Sequence, residues 1–340
     1  MMDRAIRARV LITKRLTEPV ERALAERFEI LNSPGHDPVS IGLAASRFDP
    51  HAIVVRDDLP EDICERAPSL LHVARHGVGL DVIPMAQCAR HQVTVSNVPG
   101  GNATSVAEWC VAQMLALAHS LPQIAESMRE RGWAATRTAF SGRAHDLSAR
   151  QIGLIGCGAI GSALARMLHF GFGARVMAFV RTPGKLPPYV QAVDWQTCVS
   201  QADVLVPCVP LTGQTRGMVD RQAIAAMKRS AFLVNASRGE VIDETALIEA
   251  LRAGRLAGAA LDVIADRQGQ QGDLPPALPN LVVTPHLAGH TSDAAAYNGA
   301  SVVRALEAVL LQGQPPEHLI DSAAWAPMLQ RRARLLALPA

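Results

Sequence analysis

Short apolar runs and stretches of helical periodicity alternate along this chain. Residues 10–12 (Val-Leu-Ile) predict a strand, and residues 18–28 a helix with Val20, Leu24 and Phe28 four apart. Residues 52–55, 70–74 and 93–95 predict three further strands, with a helix over 81–90 between the last two. From 102 to about 130 the pattern predicts one long helix rich in Ala, Val, Leu and Met, which Pro122 is placed to kink. A second series follows, with strands predicted at 152–155, 175–179, 203–206, 231–234, 258–261 and 281–284. Helices fall between most of them, notably 243–253, closed by Gly254. A helix over 292–312 is placed to run back to the first domain, and the tail from Pro315 carries no assignment. Strands alternating with helices predict parallel sheets, so the fold class is α/β with two doubly wound domains.

The length of 340 residues suits two domains. Hydrophobic residues make up 49% and charged ones 19%, a globular composition, and a net charge of +2 argues for neither nucleic acid nor an acidic membrane as partner. The six cysteines are scattered without a C-x-x-C pair, which predicts reduced thiols, a cytoplasmic location and no structural metal. The charged residues 1–9 predict no signal peptide. The most apolar helical stretch, 109–121, is short for a membrane span and contains Gln113 and His119.

The apolar run at 152–155 leads directly into Gly156-Cys-Gly158-Ala159-Ile160-Gly161, and an apolar-faced helix follows. In a βαβ unit the first glycine permits the tight turn and the second lets backbone approach a pyrophosphate. The third lets helix and strand pack closely, and the phosphate sits at the helix N-terminus. Strand, glycines and helix occur in the required order, so the segment is a dinucleotide-binding fingerprint and more than a glycine-punctuated turn.

Four more segments carry chemistry. Arg75-His76-Gly77-Val78-Gly79 follows a strand and forms a Gly-rich turn able to hold a carboxylate on backbone N–H groups. Asn235-Ala236-Ser237-Arg238-Gly239 and Thr284-Pro285-His286-Leu287-Ala288-Gly289 both follow strand ends, where open α/β sheets bind ligands. Asn97-Val98-Pro99, with Asn102 to Glu108, makes the crossing between domains. Alone, an Arg after a strand is usually a surface cation and a His after Thr-Pro a loop residue.

Together, from Arg75 to about Thr291, these motifs resemble the D-isomer-specific 2-hydroxyacid dehydrogenase family. The resemblance implies a nucleotide domain (102–292) inserted in a substrate-binding domain (1–101 with 293–340), and a homodimer held largely through the nucleotide domains. It implies reversible hydride transfer between a nicotinamide dinucleotide and a small 2-keto or 2-hydroxy acid. Val78 and Gly79 would then hold the substrate carboxylate, with His76 in the same loop and Arg75 there either to reach an anionic substrate tail or simply to anchor the loop. Arg238 would bridge carboxylate and keto oxygen, and His286 would exchange the proton. The resemblance also places Arg181, Thr182, Val209, Pro210, Thr215, Ala236, Asp262 and Gly289 along the cofactor, beside the fingerprint residues.

Two positions depart from the family. Its glutamate beside the catalytic histidine is replaced here by Arg267, and a cation there would depress the pKa of His286, the wrong direction for a proton donor. Three explanations are open: Asp266 replaces the glutamate through a one-residue shift, Asp273 swings in, or the enzyme is weak or specialised. In addition, Val180 stands where an NAD site carries an acid, followed by Arg181, Thr182 and, further on, Lys185, a set suited to a 2′-phosphate. The expected cofactor is therefore NADP, preferred over NAD. The expected substrate is of the glyoxylate or hydroxypyruvate kind, with a phosphorylated acid as a variant. The alternatives are a dinucleotide-sensing, corepressor-like protein and, third, formate-type oxidation.

Overall fold

A computed structural model describes residues 7–148, 150–265, 275 and 277–336, and the chain divides into two compact units, Met1–Asn102 with Thr291–Ala340, and Ala103–His290. The first unit begins β1 (Arg9–Ile12), α1 (Glu18–Arg27), β2 (Glu29–Asn32), α2 (Pro38–Phe48), β3 (Ala52–Val55), α3 (Ile63–Arg66), β4 (His72–Arg75), α4 (Met85–Arg90) and β5 (Thr94–Ser96). All pairings in its sheet are parallel, in the order β2-β1-β3-β4-β5. Alternation along each strand gives the sheet two apolar faces. Val10, Ile12, Ala52 and Val54 pack with Val20 and Leu24 of α1 and with the C-terminal helices. Leu11, Ile53 and Val55 pack with Ile41 of α2, Ile63 of α3 and Cys88 of α4.

The second unit contains α5 (Ala103–Ala118), α6 (Leu121–Phe140), β6 (Gln151–Ile155), α7 (Ala159–Arg166), β7 (Arg175–Phe179), β8 (Val190–Ala192), α8 (Trp195–Gln201), β9 (Val204–Pro207), α9 (Arg221–Ala226), β10 (Phe232–Asn235), α10 (Glu244–Arg252), β11 (Gly258–Leu261) and β12 (Leu281–Val283). Its parallel sheet has the order β12-β11-β10-β9-β6-β7-β8, so the winding direction reverses between β6 and β9. Ile152, Leu154, Val176 and Val204 face α5 and α7. Met177, Leu205 and Leu233 face α8, α9 and α10. Gly153 lets α8 close on the sheet, because a Cβ there would meet Ala202 Cβ and the Cys198 carbonyl at 2.9 Å. The first unit is completed by α11 (Ser292–Leu306), continued by a π-helical turn over Glu307–Gln312, and by α12 (Trp325–Leu336).

Helix starts follow side-chain caps. Asp37, Asp194, Asp220, Asp243 and Thr291 accept the N–H of Ser40, Thr197, Ala223, Ala246 and Ala294 respectively, at 2.7–3.1 Å. The single helix expected over 102–130 is in fact two. Ser120 adopts φ 54°, which ends α5, and Pro122 sits in the first turn of α6, where its missing N–H costs nothing. The helix expected over 81–90 shortens to α4, since Pro84 disfavours helical backbone before it. Strands β2 and β8 escaped the apolar pattern because both are sheet edges with half-exposed residues. The second sheet accordingly has seven strands where six were expected. Helix α2 and, in the tail, α12 were likewise unassigned. Among the described residues no helix is long and apolar enough to cross a membrane.

His72 lies wholly inside the first unit, its ring nitrogens 2.8 Å from Thr94 Oγ1 and 2.9 Å from Ser96 Oγ. Burial pushes its pKa down to about 3 from 6.5, and desolvation likewise pushes buried His51 and His76 down to about 4. Below pH 6.5 the unfolded chain therefore binds protons that the folded chain refuses. Stability is full above pH 7 and falls as the pH drops towards the folded pKa values, by about 2 kcal/mol per histidine at pH 5. Urea midpoints should decline between pH 7 and pH 5, and His72→Gln should flatten that slope whatever it does to stability at pH 7.

Candidate active site

Every strand of the second sheet runs the same way, so the βα loops leave from one edge. At the end of β6, next to the reversal point, lies the fingerprint. Gly156 has φ 87°, and a Cβ there would collide with Val209 Cγ1 at 2.7 Å and the Cys208 carbonyl at 2.9 Å. Gly161 brings the helix so close that a Cβ would stand 2.9 Å from the Gly156 carbonyl, whereas one on Gly158 would meet no protein atom. Gly158 caps α7, and Ala159, Ile160 and Gly161 form its first turn, whose N–H groups have no carbonyl within the helix. Backbone donors at a helix start, with the middle glycine leaving room above them, fit the pyrophosphate of a dinucleotide.

Other cofactor candidates hang from neighbouring strands. Arg181 and Thr182 follow β7 and are exposed, ahead of a short 3₁₀ turn ending at Lys185. Val209 and Pro210 follow β9, and Thr215 donates to the Pro210 carbonyl at 2.6 Å, closing that loop on itself. Ala236 follows β10 and is half-buried.

Arg238 is positioned by Asn235, the last residue of β10. The amide of Asn235 donates to the Arg238 carbonyl at 2.9 Å, and its oxygen accepts Ser237 N at 3.0 Å and Ser237 Oγ at 2.7 Å. Gly239 is required next, because a Cβ would overlap the backbone of Ile264 and Ala265 at 2.1–2.5 Å.

His286 lies beyond β12, with β11 between its strand and that of Arg238; two strand spacings put those strand ends about 10 Å apart. It is exposed, with φ 57°, a left-handed conformation that a non-glycine residue holds only when its surroundings dictate it. Asp262 does so. One of its carboxylate oxygens accepts Thr284 Oγ1 at 2.5 Å and Leu287 N at 2.8 Å, and the other accepts Ala288 N at 2.8 Å. The His286 N–H donates to the Asp262 carbonyl at 2.8 Å. Asp262 is 2% exposed, so both oxygens serve the turn that carries His286 and leads to Gly289. Asp266, the sequence's candidate partner for His286, lies outside the described residues, as do Arg267 and Asp273. The imidazoles of His286 and His290 meet edge to face, centroids 6.1 Å apart.

In the first unit the carboxylate-loop candidates follow β4. Arg75 donates from Nε to the Gly79 carbonyl and from Nη1 to the Val55 carbonyl, both at 2.9 Å, so two of its nitrogens anchor the loop. His76 is buried and, with its depressed pKa, neutral at physiological pH. Asn97, at the end of β5, donates to the Val78 carbonyl at 2.8 Å. The carbonyls of Val78 and Gly79 are thus taken by side chains, while among the described residues neither N–H donates to a protein acceptor. That leaves two adjacent donors fixed for an anionic group. Asn97, Asn235 and Thr284 stood in segments singled out from the sequence, but nothing in residue type distinguished their positioning roles. Among the described residues no group of His, Cys, Asp or Glu could hold a metal ion.

The arrangement defines a dinucleotide-binding α/β protein with an Arg and a His on the ligand edge of its sheet. Residues 111–288 match the family model described as D-isomer specific 2-hydroxyacid dehydrogenase, NAD binding domain. The chain is 32% identical over 268 residues to a glycerate dehydrogenase of Methylorubrum extorquens, covering 78% of this chain and 83% of that one. It is 35% identical over 247 residues to D-3-phosphoglycerate dehydrogenase of Bacillus subtilis, covering 72% of this chain and 46% of that one. The chain spans about half the length of the phosphoglycerate dehydrogenases it is similar to. A solved structure of an NADPH-dependent glyoxylate/hydroxypyruvate reductase from Sinorhizobium meliloti, in complex with NADP and malonate, superposes with a TM-score of 0.78 at 28% identity, covering 92% of this chain and 97% of that one. The protein belongs to the D-isomer specific 2-hydroxyacid dehydrogenase family.

If Asp262 is the clamp on the His286 turn, Asp262→Asn, which replaces one acceptor oxygen by a donor, strands at least one buried N–H or hydroxyl. Hydrogen exchange should then lose protection at Leu287 and Ala288, with stability falling by about 2 kcal/mol. Thr284→Val, which removes a single donor, should cost less and leave those two amides protected.

Proposed function

We propose that the protein is an NADP(H)-preferring reductase of a small 2-keto acid, of the glyoxylate or hydroxypyruvate kind, yielding the D-2-hydroxy acid. The observation that carries this assignment is that Arg238 and His286 stand in the loops that follow β10 and β12, the two strands flanking β11, on the edge that also holds the fingerprint. The cofactor, held by the first turn of α7 and by the loops after β7 and β9, supplies the hydride when bound.

The chain's own residues do the rest. The N–H groups of Val78 and Gly79 bind the substrate carboxylate. The guanidinium of Arg238 bridges carboxylate and keto oxygen, draws electron density from the carbonyl carbon and stabilises the oxyanion as it forms. His286 delivers a proton to that oxygen in reduction and takes it back in oxidation. Asp262 and Asn235 hold the two loops in place.

NADP preference is supported by Val180, Arg181, Thr182 and Lys185 beyond β7: a guanidinium and a hydroxyl suit the 2′-phosphate, and no carboxylate stands at position 180 to repel it. A homodimer is supported by the apolar surface of α6, where Leu121, Met128 and Trp133 are exposed, Trp133 by 71%. A cytoplasmic site of action is supported by six free thiols. One observation favours a second reading. Arg267 in place of the family's glutamate suits a dinucleotide-sensing protein that binds NADPH with weak or no turnover.

Steady-state assays with glyoxylate and hydroxypyruvate separate these. The enzyme should show kcat/KM with NADPH at least roughly tenfold above that with NADH, a difference of about 1.4 kcal/mol. Equal efficiency with both cofactors overturns the preference, and Val180→Asp should narrow or reverse it. Arg238→Ala and His286→Gln should each lower kcat/KM by about two orders of magnitude or more. Binding of NADPH without turnover on a panel of 2-keto acids would establish the sensor instead.

A further inference from the structure

The tail from Pro315, which the apolar pattern leaves unassigned, closes a cavity in the first unit. Ser301, Arg304, Ala305 and Ala308 recur at helical spacing, so they share one face of α11 and the turn that continues it. After Gly313, with φ 66°, the chain turns back and lies antiparallel to β5. Ser96 bridges Leu319 there, and Ile320 N donates to the Val95 carbonyl at 2.9 Å. Between that helix face, the end of β5 and residues 316–318 lies a cavity of about 370 Å³, a size that suits a small molecule.

The walls are polar and carry both signs of charge. Arg304 reaches along the helix to Ser301, Nη2 to Oγ at 3.0 Å. Glu307 is paired with Arg27 of α1, which answers its charge from outside the cavity. One formal charge of each sign is left on the walls, Arg304 and Glu317, with the His318 imidazole 3.7 Å from Glu317. On the floor, the hydroxyl of Ser96 is turned inward to His72. Asn97 differs. Its Nδ2 donates to the Val78 carbonyl at 2.8 Å, and since that carbonyl can only accept, the orientation of the amide is fixed. Its Oδ1 is then buried with no hydrogen-bond partner among the described residues. Buried acceptors are nearly always paired, so this oxygen on a cavity wall points to a donor on a ligand.

We propose that this cavity binds a small α-amino acid as its zwitterion, with the carboxylate on Arg304 and Ser301 and the ammonium shared by Glu317 and the Asn97 oxygen. An anion alone would leave Glu317 and the orphaned acceptor unmet, and a cation alone would leave Arg304 unmet. Donation to Oδ1 polarises the carboxamide and strengthens the bond from its nitrogen to Val78. Val78 and Gly79 offer the N–H groups assigned to the substrate carboxylate. The bound amino acid therefore tightens that loop and lowers KM for the 2-keto acid, without touching Arg238 or His286. This link to turnover rests on the proposed function, whereas the site itself does not.

The test is calorimetric titration of the full protein with each proteinogenic amino acid in turn. For any that binds, its deaminated and decarboxylated analogues follow, each keeping one of the two charges. The expected result is saturable binding of at least one amino acid, weakened by about tenfold or more in Arg304→Met, in Glu317→Gln and for both analogues. Arg304 and Glu317 are exposed, so neither variant threatens the fold, and turnover without amino acid should match the wild type. With the amino acid bound, KM for glyoxylate should fall while kcat changes little. No binding by any amino acid, binding that survives both substitutions, or equal affinity for the analogue lacking the ammonium would each overturn the site. Binding as expected with KM unchanged overturns the link to Val78. Binding as expected in a protein that turns over no 2-keto acid upholds the site and contradicts both the proposed function and the link drawn from it.

Discussion

Parallel strand pairing is the constraint on which the rest of the molecule depends. With all seven strands of the second sheet running one way, every strand's carboxyl end reaches the same edge. Residues more than a hundred positions apart, such as Gly156 and His286, are thereby brought to that edge by backbone hydrogen bonding alone. The reversal of winding between β6 and β9 spreads the loops there, and the glycine fingerprint occupies that place.

The edge is made precise by a second set of interactions, mostly between side chains and backbone. Asp262 uses both carboxylate oxygens to fix the turn in which His286 is held with positive φ. Asn235 does the same for the loop of Arg238, and Asn97 and Arg75 do so for the loop of Val78 and Gly79 in the first unit. In each case a buried or half-buried polar group satisfies loop donors or carbonyls and so fixes the backbone beside the reactive or binding group. Glycine completes the arrangement where backbones nearly touch, at Gly156 against Cys208 and Val209 and at Gly239 against Ile264 and Ala265.

Much of this was legible in the sequence, for physical reasons. Central strands are buried on both faces and read as continuous apolar runs, so β6, β7, β9, β10 and β11 were found within a residue or two. The fingerprint was legible because its glycines answer steric demands that the structure displays as collisions. The edge strands β2 and β8 were not legible, because one-sided burial weakens their pattern. The break at Ser120 was misplaced at Pro122, since a left-handed residue ending a helix carries no signal when it is serine. The sequence marks Asp262 as a cofactor residue, and for Arg75 it leaves substrate contact and loop anchoring equally open. Their hydrogen bonds to the chain itself depend on loop geometry that residue type does not encode.

The central claim is that this edge directs a hydride to the carbonyl carbon of a 2-keto acid while Arg238 and His286 manage charge and proton. The most direct measurement is isotopic. NADPH carrying deuterium at C4 of the nicotinamide, in the position the enzyme transfers, is incubated with hydroxypyruvate and the protein, and the product is analysed by NMR and chiral chromatography. The account predicts D-glycerate with deuterium at C2. Product lacking deuterium at C2, product of L configuration, or no product while NADPH is bound would contradict it.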